Sequence, residues 1–416
     1  MAKLTPNDFA IFLLAISTIL IFARFGAEFG KKIGLPIVTA EIAVGVILGP
    51  TLLGNLVPDL YNYLFPFTSN ARVSIALDGL FSLAVILLLF VAGLELQLGQ
   101  VLRQGKIALS TGFGSMVLPF ASGFAVSWLA PQWFGIDTSN RFQFSMFLGT
   151  AMSISALPVI ARILLDLKIF RTKIGMVVIA SAILNDLIGW LLFSFILSMS
   201  GPGKGLAGIG HTIIYISAFS VFMLVIGRMF LNRILPWVQS NLSWPGGVLS
   251  FSLGFCLLCA ALTESMHVHA ILGAFIAGVA IGDSVHLEEK AREIMHQFVT
   301  NFFAPLFFVS IGLKVDFVKN FDLLIVAIVL IVAFFGKVIG AYLGARLGGM
   351  KARSALSVGF GLNARGAVEI LLGSLAFDAG LITQPIFVAL VIMALVTSIS
   401  SGPLMLYFLR GEEERD

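Results

Sequence analysis

Apolar stretches recur along the whole chain, each as long as the roughly 20 residues that a membrane-spanning helix needs. Thirteen such spans are predicted, over about 8–29, 36–56, 73–96, 106–129, 142–164, 174–199, 209–231, 246–264, 268–284, 298–313, 322–347, 354–376 and 385–409. The connections are short, and none resembles a soluble domain or a linker. The opening MAKLTPNDF runs straight into the first apolar stretch without a small-residue cleavage site, so it reads as a span and not as a signal peptide. The chain closes on a charged tail, 411–416, with no nucleotide-binding module expected after the last span.

Composition narrows the class. Only 12% of the 416 residues are charged and 58% are hydrophobic, whereas a soluble domain carries roughly 25% charged residues. Water cannot solvate most of such a surface, which leaves an all-α polytopic membrane protein embedded in a lipid bilayer. A net charge of +4 in a soluble chain would point to nucleic acid. Here Lys and Arg sit in the short loops, so they report membrane topology and no nucleic-acid partner is expected. With thirteen spans the termini fall on opposite sides. A cytoplasmic C-terminus puts eighteen basic residues on or near its side (among them Arg24, Lys31, Lys32, Arg103, Lys168, Arg171, Arg353 and Arg415). The other side receives six: Lys3, Arg72, Arg141, Lys204, Lys314 and Lys319. That asymmetry is the positive-inside pattern.

An odd number of spans permits two repeats of inverted topology, spans 1–6 and 8–13, joined by span 7. Spans 5 and 12 then correspond, and both have helix-weakening centres: Thr150-Ala-Met-Ser-Ile-Ser155-Ala-Leu-Pro158 and Gly359-Phe-Gly-Leu-Asn-Ala-Arg-Gly366. Paired interruptions at matching positions point to a binding site at the membrane midplane. Around Pro158 an unwound segment would free backbone carbonyls beside the hydroxyls of Thr150, Ser153 and Ser155, oxygen ligands suited to a dehydrated monovalent cation.

Few ionisable residues remain at depth: Asp186, Lys337, Arg365 and Glu369, with Glu41, Asp78, Glu95 and Glu264 nearer the span ends. A charge at the centre of a spanning helix costs roughly 2.5–3.5 kcal/mol on insertion scales, so each marks a functional hypothesis. Asp186 lies near the middle of span 6. A carboxylate removed from water can hold a proton or a small cation but not both well, and that competition suffices for exchange. Asn185 adds a neutral amide oxygen able to ligate a cation or to bond a neighbour. Lys337, mid-span in span 11, needs a buried partner; Asp186 and Glu369 are the candidates, and a static ion pair is the alternative. Arg365 and Glu369, four residues apart, share one helical face and read as an internal ion pair flanking the interruption.

Other signals carry less. Cys256 and Cys259 form a C-x-x-C inside an apolar run and read as small core residues. His211, His267, His269, His286 and His296 lack the spacing of a metal site. Gly336-Lys337 has no upstream glycine at phosphate-loop spacing, so neither ATP nor any other cofactor is expected.

At these residues the chain resembles the monovalent cation:proton antiporters, in particular their second branch. The resemblance rests on Pro36-Ile-Val-Thr-Ala-Glu41 through Gly-Pro50, Phe90-Val-Ala-Gly-Leu-Glu95-Leu, Ser153-Ile-Ser-Ala-Leu-Pro158-Val and the Asn185-Asp186 pair followed by Trp190. It continues through His269-Ala-Ile-Leu-Gly to Gly278, Pro305-Leu-Phe-Phe-Val-Ser-Ile-Gly312, Lys337 and Asn363-Ala-Arg-Gly-Ala-Val-Glu369.

The family implies a homodimer, with a dimerisation domain from about 8–96 and 246–313 and a mobile core from about 106–199 and 322–409. It also implies discontinuous spans 5 and 12 crossing beside the ion-binding Asp186, and elevator-like transport of Na+ (or K+, or Li+) against H+. The membrane would be a prokaryotic-type plasma or inner membrane, a thylakoid or an organelle. Electroneutral members carry Asn-Asp where electrogenic ones carry two aspartates, so Asn185 points to one-for-one exchange. Electroneutral first-branch members usually lack the core lysine that Lys337 supplies, and they place a glutamate where this chain has Val91. A potassium-efflux antiporter is the alternative within the family. An intramembrane enzyme would need a paired catalytic constellation that the sequence lacks, and a channel or sensor derived from a transporter would not need Asp186.

Overall fold

Glycines at four-residue intervals, Gly336, Gly340, Gly344 and Gly348, occupy one face of a single long apolar segment. Such a stripe lets two helix backbones approach where lipid offers no hydrophobic drive for association. The computed structural model describes residues 3–32, 37–67, 69–96, 98–136, 141–167, 169–170, 172–199, 206–266, 268–284 and 287–413. Pro36, Lys168, Arg171, Lys204, His267, His286 and Arg415 lie outside the described residues, as do the side chains of Arg103, Pro158, Arg162, His211 and Arg410.

The described residues form α-helices without a strand. In chain order they are α1 (Pro6–Lys32), α2 (Ile37–Leu48), α3 (Leu53–Leu56), α4 (Pro58–Leu64), α5 (Ala71–Glu95) and α6 (Leu98–Leu129). Next come α7 (Arg141–Ser153), α8 (Leu157–Asp166), α9 (Lys173–Ser198), α10 (Leu206–Phe222), α11 (Arg228–Asn241), α12 (Gly246–Ser265) and α13 (Ala270–Gly282). The chain continues with α14 (Glu289–Phe298), α15 (Ala304–Lys314), α16 (Leu323–Leu347), α17 (Ala352–Leu362), α18 (Ala367–Asp378) and α19 (Gln384–Glu413). Five-residue π-helical turns join α10 to α11 and α14 to α15.

Ten segments among the described residues are long and apolar enough to cross a membrane. The other three predicted spans hold shorter helices: α7 and α8 divide 142–164, α13 occupies 268–284, and α17 and α18 divide 354–376. Helix starts follow local chemistry. Thr5 and Asp8 exchange hydrogen bonds of 3.0 and 3.2 Å as a reciprocal cap on α1. The Asp322 carboxylate accepts from the amides of Leu324 and Ile325 at the start of α16. Helix α6 bends at Gly105, whose φ of 58° suits a residue without a Cβ.

The chain divides into two compact units, residues 1–96 with 217–320 and residues 97–216 with 321–416. In the first, Ile11, Ala15, Ile19 and Ala23 form an i, i+4 stripe on α1 that packs with Val44, Leu77, Leu306 and Val309. Gly45 and Gly49 of α2 meet the backbone of Val309 and Gly312 in α15, and Gly93 of α5 meets Phe275 and Gly278 in α13. The opposite face of α1 exposes Phe22, Phe25 and Phe29, as lipid solvation allows. In the second unit the glycine stripe of α16 rests on Ile107, Ser110, Gly114 and Pro119 of α6.

Gly340→Val would drive a side chain into the Gly114 carbonyl. It should lower thermal stability in detergent by about 1–3 kcal/mol, the usual effect of overpacking. Gly79→Ala, where an added Cβ meets nothing within 4 Å, should be neutral or stabilise by up to about 1 kcal/mol; melting curves of both purified variants check this.

Candidate functional site

Helix α7 stops at Ser153, residues 154–156 are non-helical, and the chain resumes as α8 with Pro158 in its first turn. Proline is tolerated there because a first-turn amide needs no helical acceptor. Helix α17 stops at Leu362, and residues 363–366 lead into α18. The two interruptions are tied together. The Ala156 amide donates to the Ala364 carbonyl at 3.0 Å, and Ser155 Oγ donates to the Leu362 carbonyl at 2.8 Å.

A helix that ends among other helices leaves its last carbonyls without intrahelical partners. At the end of α7 side chains supply those partners. Ser153 Oγ donates to the Thr150 carbonyl at 2.8 Å. Arg365, fully buried, donates from Nη1 to the Ala151 carbonyl at 3.0 Å and from Nη2 to the Met152 carbonyl at 2.6 Å. Lys337 Nζ donates to the Ser153 carbonyl. Two basic side chains therefore donate to the negative end of α7, the favourable sense for the helix dipole. The sequence predicted carbonyls freed around Pro158; those of residues 150–153, at the end of α7, are bonded to the protein's own donors.

Arg365 also bonds the Ala333 carbonyl of α16 at 3.2 Å and pairs with Glu369 Oε1 at 3.0 Å. Its backbone carbonyl accepts from Ser398 Oγ in α19. The residue thus holds together α7, α16, α18 and α19.

Asn185 is fully buried on α9. With its amide oriented so that nitrogen faces an acceptor and oxygen faces donors, the nitrogen donates to the Gly112 carbonyl at 3.0 Å. The oxygen then accepts from Ser115 Oγ at 2.9 Å and from Lys337 Nζ at 3.1 Å. One turn earlier, Ser181 Oγ donates to the Ala108 carbonyl at 3.0 Å. One turn later, a Cβ at Gly189 would collide with Ile154 in the α7–α8 interruption. Asp186, 5% exposed, stands on the turn between these contacts. Its field reaches Lys337, as do those of Arg365 and Glu369.

The hydroxyls have committed protons and open lone pairs. Thr150 Oγ1 donates to the Met146 carbonyl at 2.8 Å, and Ser153 and Ser155 donate as described above. Asp186, Asn185, Thr150, Ser153, Ser155, Lys337, Arg365 and Glu369 all belong to the second unit. Ser115 and Gly112, which fix Asn185, were not singled out by sequence; one of the four serines in span 4 is a faint signal.

The remaining predicted acids lie in the first unit and serve as framework. Asp78 pairs with Lys314 at 2.8 Å and Glu95 with His296 at 2.9 Å. Glu264 accepts from the Ala270 amide at 2.7 Å, and His269 caps the start of α13. Glu41 is buried on α2. Cys256 and Cys259 are buried thiols on α12.

Comparison with known proteins agrees with this architecture. The sequence model of the family described as "Sodium/hydrogen exchanger, transmembrane" matches residues 15–407. The Na(+)/H(+) antiporter NhaS4 of Synechocystis sp. is 31% identical over 404 residues, which cover 96% of this chain and 97% of that protein. Cation/H(+) antiporter 20 of Arabidopsis thaliana is 31% identical over 96% of this chain and 48% of its own length. K(+)/H(+) antiporter 1 of Saccharomyces cerevisiae is 30% identical over 89% of this chain and 43% of its own. The chain thus spans about half the length of those two relatives. Among solved structures, the sodium proton antiporter MjNhaP1 from Methanocaldococcus jannaschii shares the fold, with a TM-score of 0.67 at 16% identity over 97% of this chain and 99% of that one. A chain with ten long apolar helical segments among its described residues, matched almost end to end by one family model and by a relative of its own length, is a multi-pass membrane protein and belongs to the sodium/hydrogen exchanger family.

Proposed function

We propose that the chain exchanges a monovalent cation, Na+ ahead of K+, for protons by alternating access, with cation and proton competing for Asp186. The observation that carries this reading is a buried carboxylate one residue from a side chain bonded to Lys337, beside two interrupted helices, one of which, α7, has its end bonded by Lys337 and Arg365. The carbonyls at the end of α7 already accept from the protein's own donors, which leaves a carboxylate as the group suited to trade a proton for a cation. The name of the relative of equal length supports sodium, and that of the yeast relative keeps potassium as the second reading.

The charges support one-for-one exchange. Lys337, Arg365, Glu369 and Asp186, all ionised, sum to zero, and either a proton or a cation on Asp186 raises the sum to +1. The two loaded states then carry the same charge, provided Lys337 keeps its proton. Its two acceptors, the Asn185 oxygen and the Ser153 carbonyl, can be served by the ammonium or by the free amine, so the one-for-one reading is the one for a lysine that stays protonated.

We further infer that residues 8–96 with 246–313 form a dimerisation domain of a homodimer and that 106–199 with 322–409 form the moving core. The separation of the contacts into two units along closely similar boundaries supports this division. A cytoplasmic C-terminus rests on the basic loops.

In proteoliposomes with an imposed pH gradient, added Na+ should dissipate the gradient, and Asp186→Asn should slow this by about 100-fold or more, some 2.7 kcal/mol of barrier. Exchange intact in that variant would sink the mechanism. Clamping the voltage with valinomycin should leave the rate unchanged if the stoichiometry is one to one. Lys337→Gln should keep the fold and shift the pH dependence of exchange; a fall in melting temperature with an unmoved pH profile would assign Lys337 a static role. Arg365→Ala strands Glu369 and three carbonyls in the interior, and should cost about 3–5 kcal/mol, as removal of one member of a buried ion pair does. Thermal unfolding in detergent reads this directly.

A further inference from the structure

Asn363 is the first residue past α17 and is fully buried. Neither its amide oxygen nor its amide nitrogen has a hydrogen-bond partner among the described residues. A buried polar atom left without a partner costs about 1–3 kcal/mol, and such groups are few in native proteins. Backbone groups on both sides of it are engaged. The Asn363 amide donates to the Phe360 carbonyl at 3.2 Å and the Ala364 amide to the Gly361 carbonyl at 3.4 Å. On either side, the Leu362 carbonyl accepts from Ser155 and the Ala364 carbonyl from the Ala156 amide. Asn363 is therefore clamped between the two bonds that join the interruptions, and Ser155 itself lies 3.5 Å from the Asn185 amide.

The two buried asparagines have opposite situations. The Asn185 oxygen is occupied by Ser115 and Lys337, so it positions the lysine. The Asn363 oxygen has both lone pairs open, in a site where the carbonyls of residues 150–153 are already taken. We propose that Asn363 is a ligand of the transported monovalent cation, contributing its amide oxygen from the α17–α18 interruption opposite Asp186 and the hydroxyls of the α7–α8 interruption. This deepens the exchange reading above and rests on it for the identity of the passenger. A neutral amide dipole stabilises a bare cation without adding a titratable group, so it favours the cation over the proton at Asp186, since the proton is held by the carboxylate alone.

The test uses the purified full chain, melted in NaCl, LiCl, KCl or choline chloride at constant ionic strength, together with the KM of exchange in proteoliposomes. Wild type should be stabilised by at least one of the three metal cations over choline, in a concentration-dependent way. Asn363→Ala should melt at or above the wild-type temperature in choline, since the side chain bonds nothing among the described residues. It should need roughly tenfold more cation for stabilisation and show a roughly tenfold higher KM, with maximal rate within about twofold, the signature of lost binding at an unaltered chemical step. Asn363→Asp, which keeps an oxygen in place, should recover cation affinity. An Asn363→Ala protein that fails to fold or melts lower in choline, or that keeps wild-type cation dependence, overturns the proposal. A wild type stabilised by the cation but without proton exchange would overturn antiport while leaving the Asn363 ligand intact.

Discussion

The end of α7 inside the apolar interior is the constraint on which the second unit depends. A half-helix with carbonyls pointing into hydrocarbon would be untenable, because each unsatisfied group costs several kcal/mol there. Lys337 resolves it from α16 and Arg365 from the α17–α18 interruption, and in doing so they fix where those segments lie. The Arg365 side chain bonds three helices, α7, α16 and α18, a task suited to a planar guanidinium with five donors in a rigid fork. Lys337 is held between a carbonyl of α7 and the amide oxygen of α9, so the residue next to Asp186 in sequence is also the residue that seats the lysine. Interruption, cation and carboxylate are one connected arrangement.

The second unit reaches its density by different means from ordinary hydrophobic packing. Between α6 and α16 the contact is nearly backbone on backbone, because four glycines remove the intervening side chains. That closeness brings Lys337, adjacent to Gly336, to the level of Ser115 and Asn185. The first unit uses the same device between α2 and α15 and between α5 and α13. Its Asp78–Lys314 and Glu95–His296 pairs, however, lie near helix ends where water is within reach, although Glu41 is buried on α2. Charge deep in the interior is concentrated in the unit that carries Asp186.

Much of this was legible in the sequence because charge is conspicuous against apolar runs. Asp186, Lys337, Arg365 and Glu369 stand out for that reason, and the weakened centres of spans 5 and 12 are visible from Ser, Asn, Gly and Pro in stretches otherwise built for helix. Pairing was less legible. The i, i+4 spacing of Arg365 and Glu369 reveals their mutual contact, yet nothing local shows that Arg365 also reaches Ala151, Met152 and Ala333, up to 214 residues away. Neutral polar residues were the hardest to rank. Ser115 and Asn363 look like many tolerated polar residues in apolar helices, and only burial together with the state of their hydrogen bonds separates one from the other. Span 268–284 shortened to α13 because His269 and Glu264 cap its start, a tertiary detail absent from hydropathy.

The bond from Ser155 to the Leu362 carbonyl joins residues 207 positions apart in the chain, and this has a consequence for biogenesis. Synthesis delivers α7, α8 and α9 to the membrane long before α17 leaves the ribosome. During that interval the open end of α7 and the Asp186 carboxylate lie in the bilayer without Lys337 or Arg365. Until the last helices arrive, water, lipid headgroups or the insertion machinery must shelter them. A nascent chain stopped before residue 365 therefore holds an unfinished, polar seam in hydrocarbon, so quality control can distinguish a truncated copy from a complete one by that seam alone.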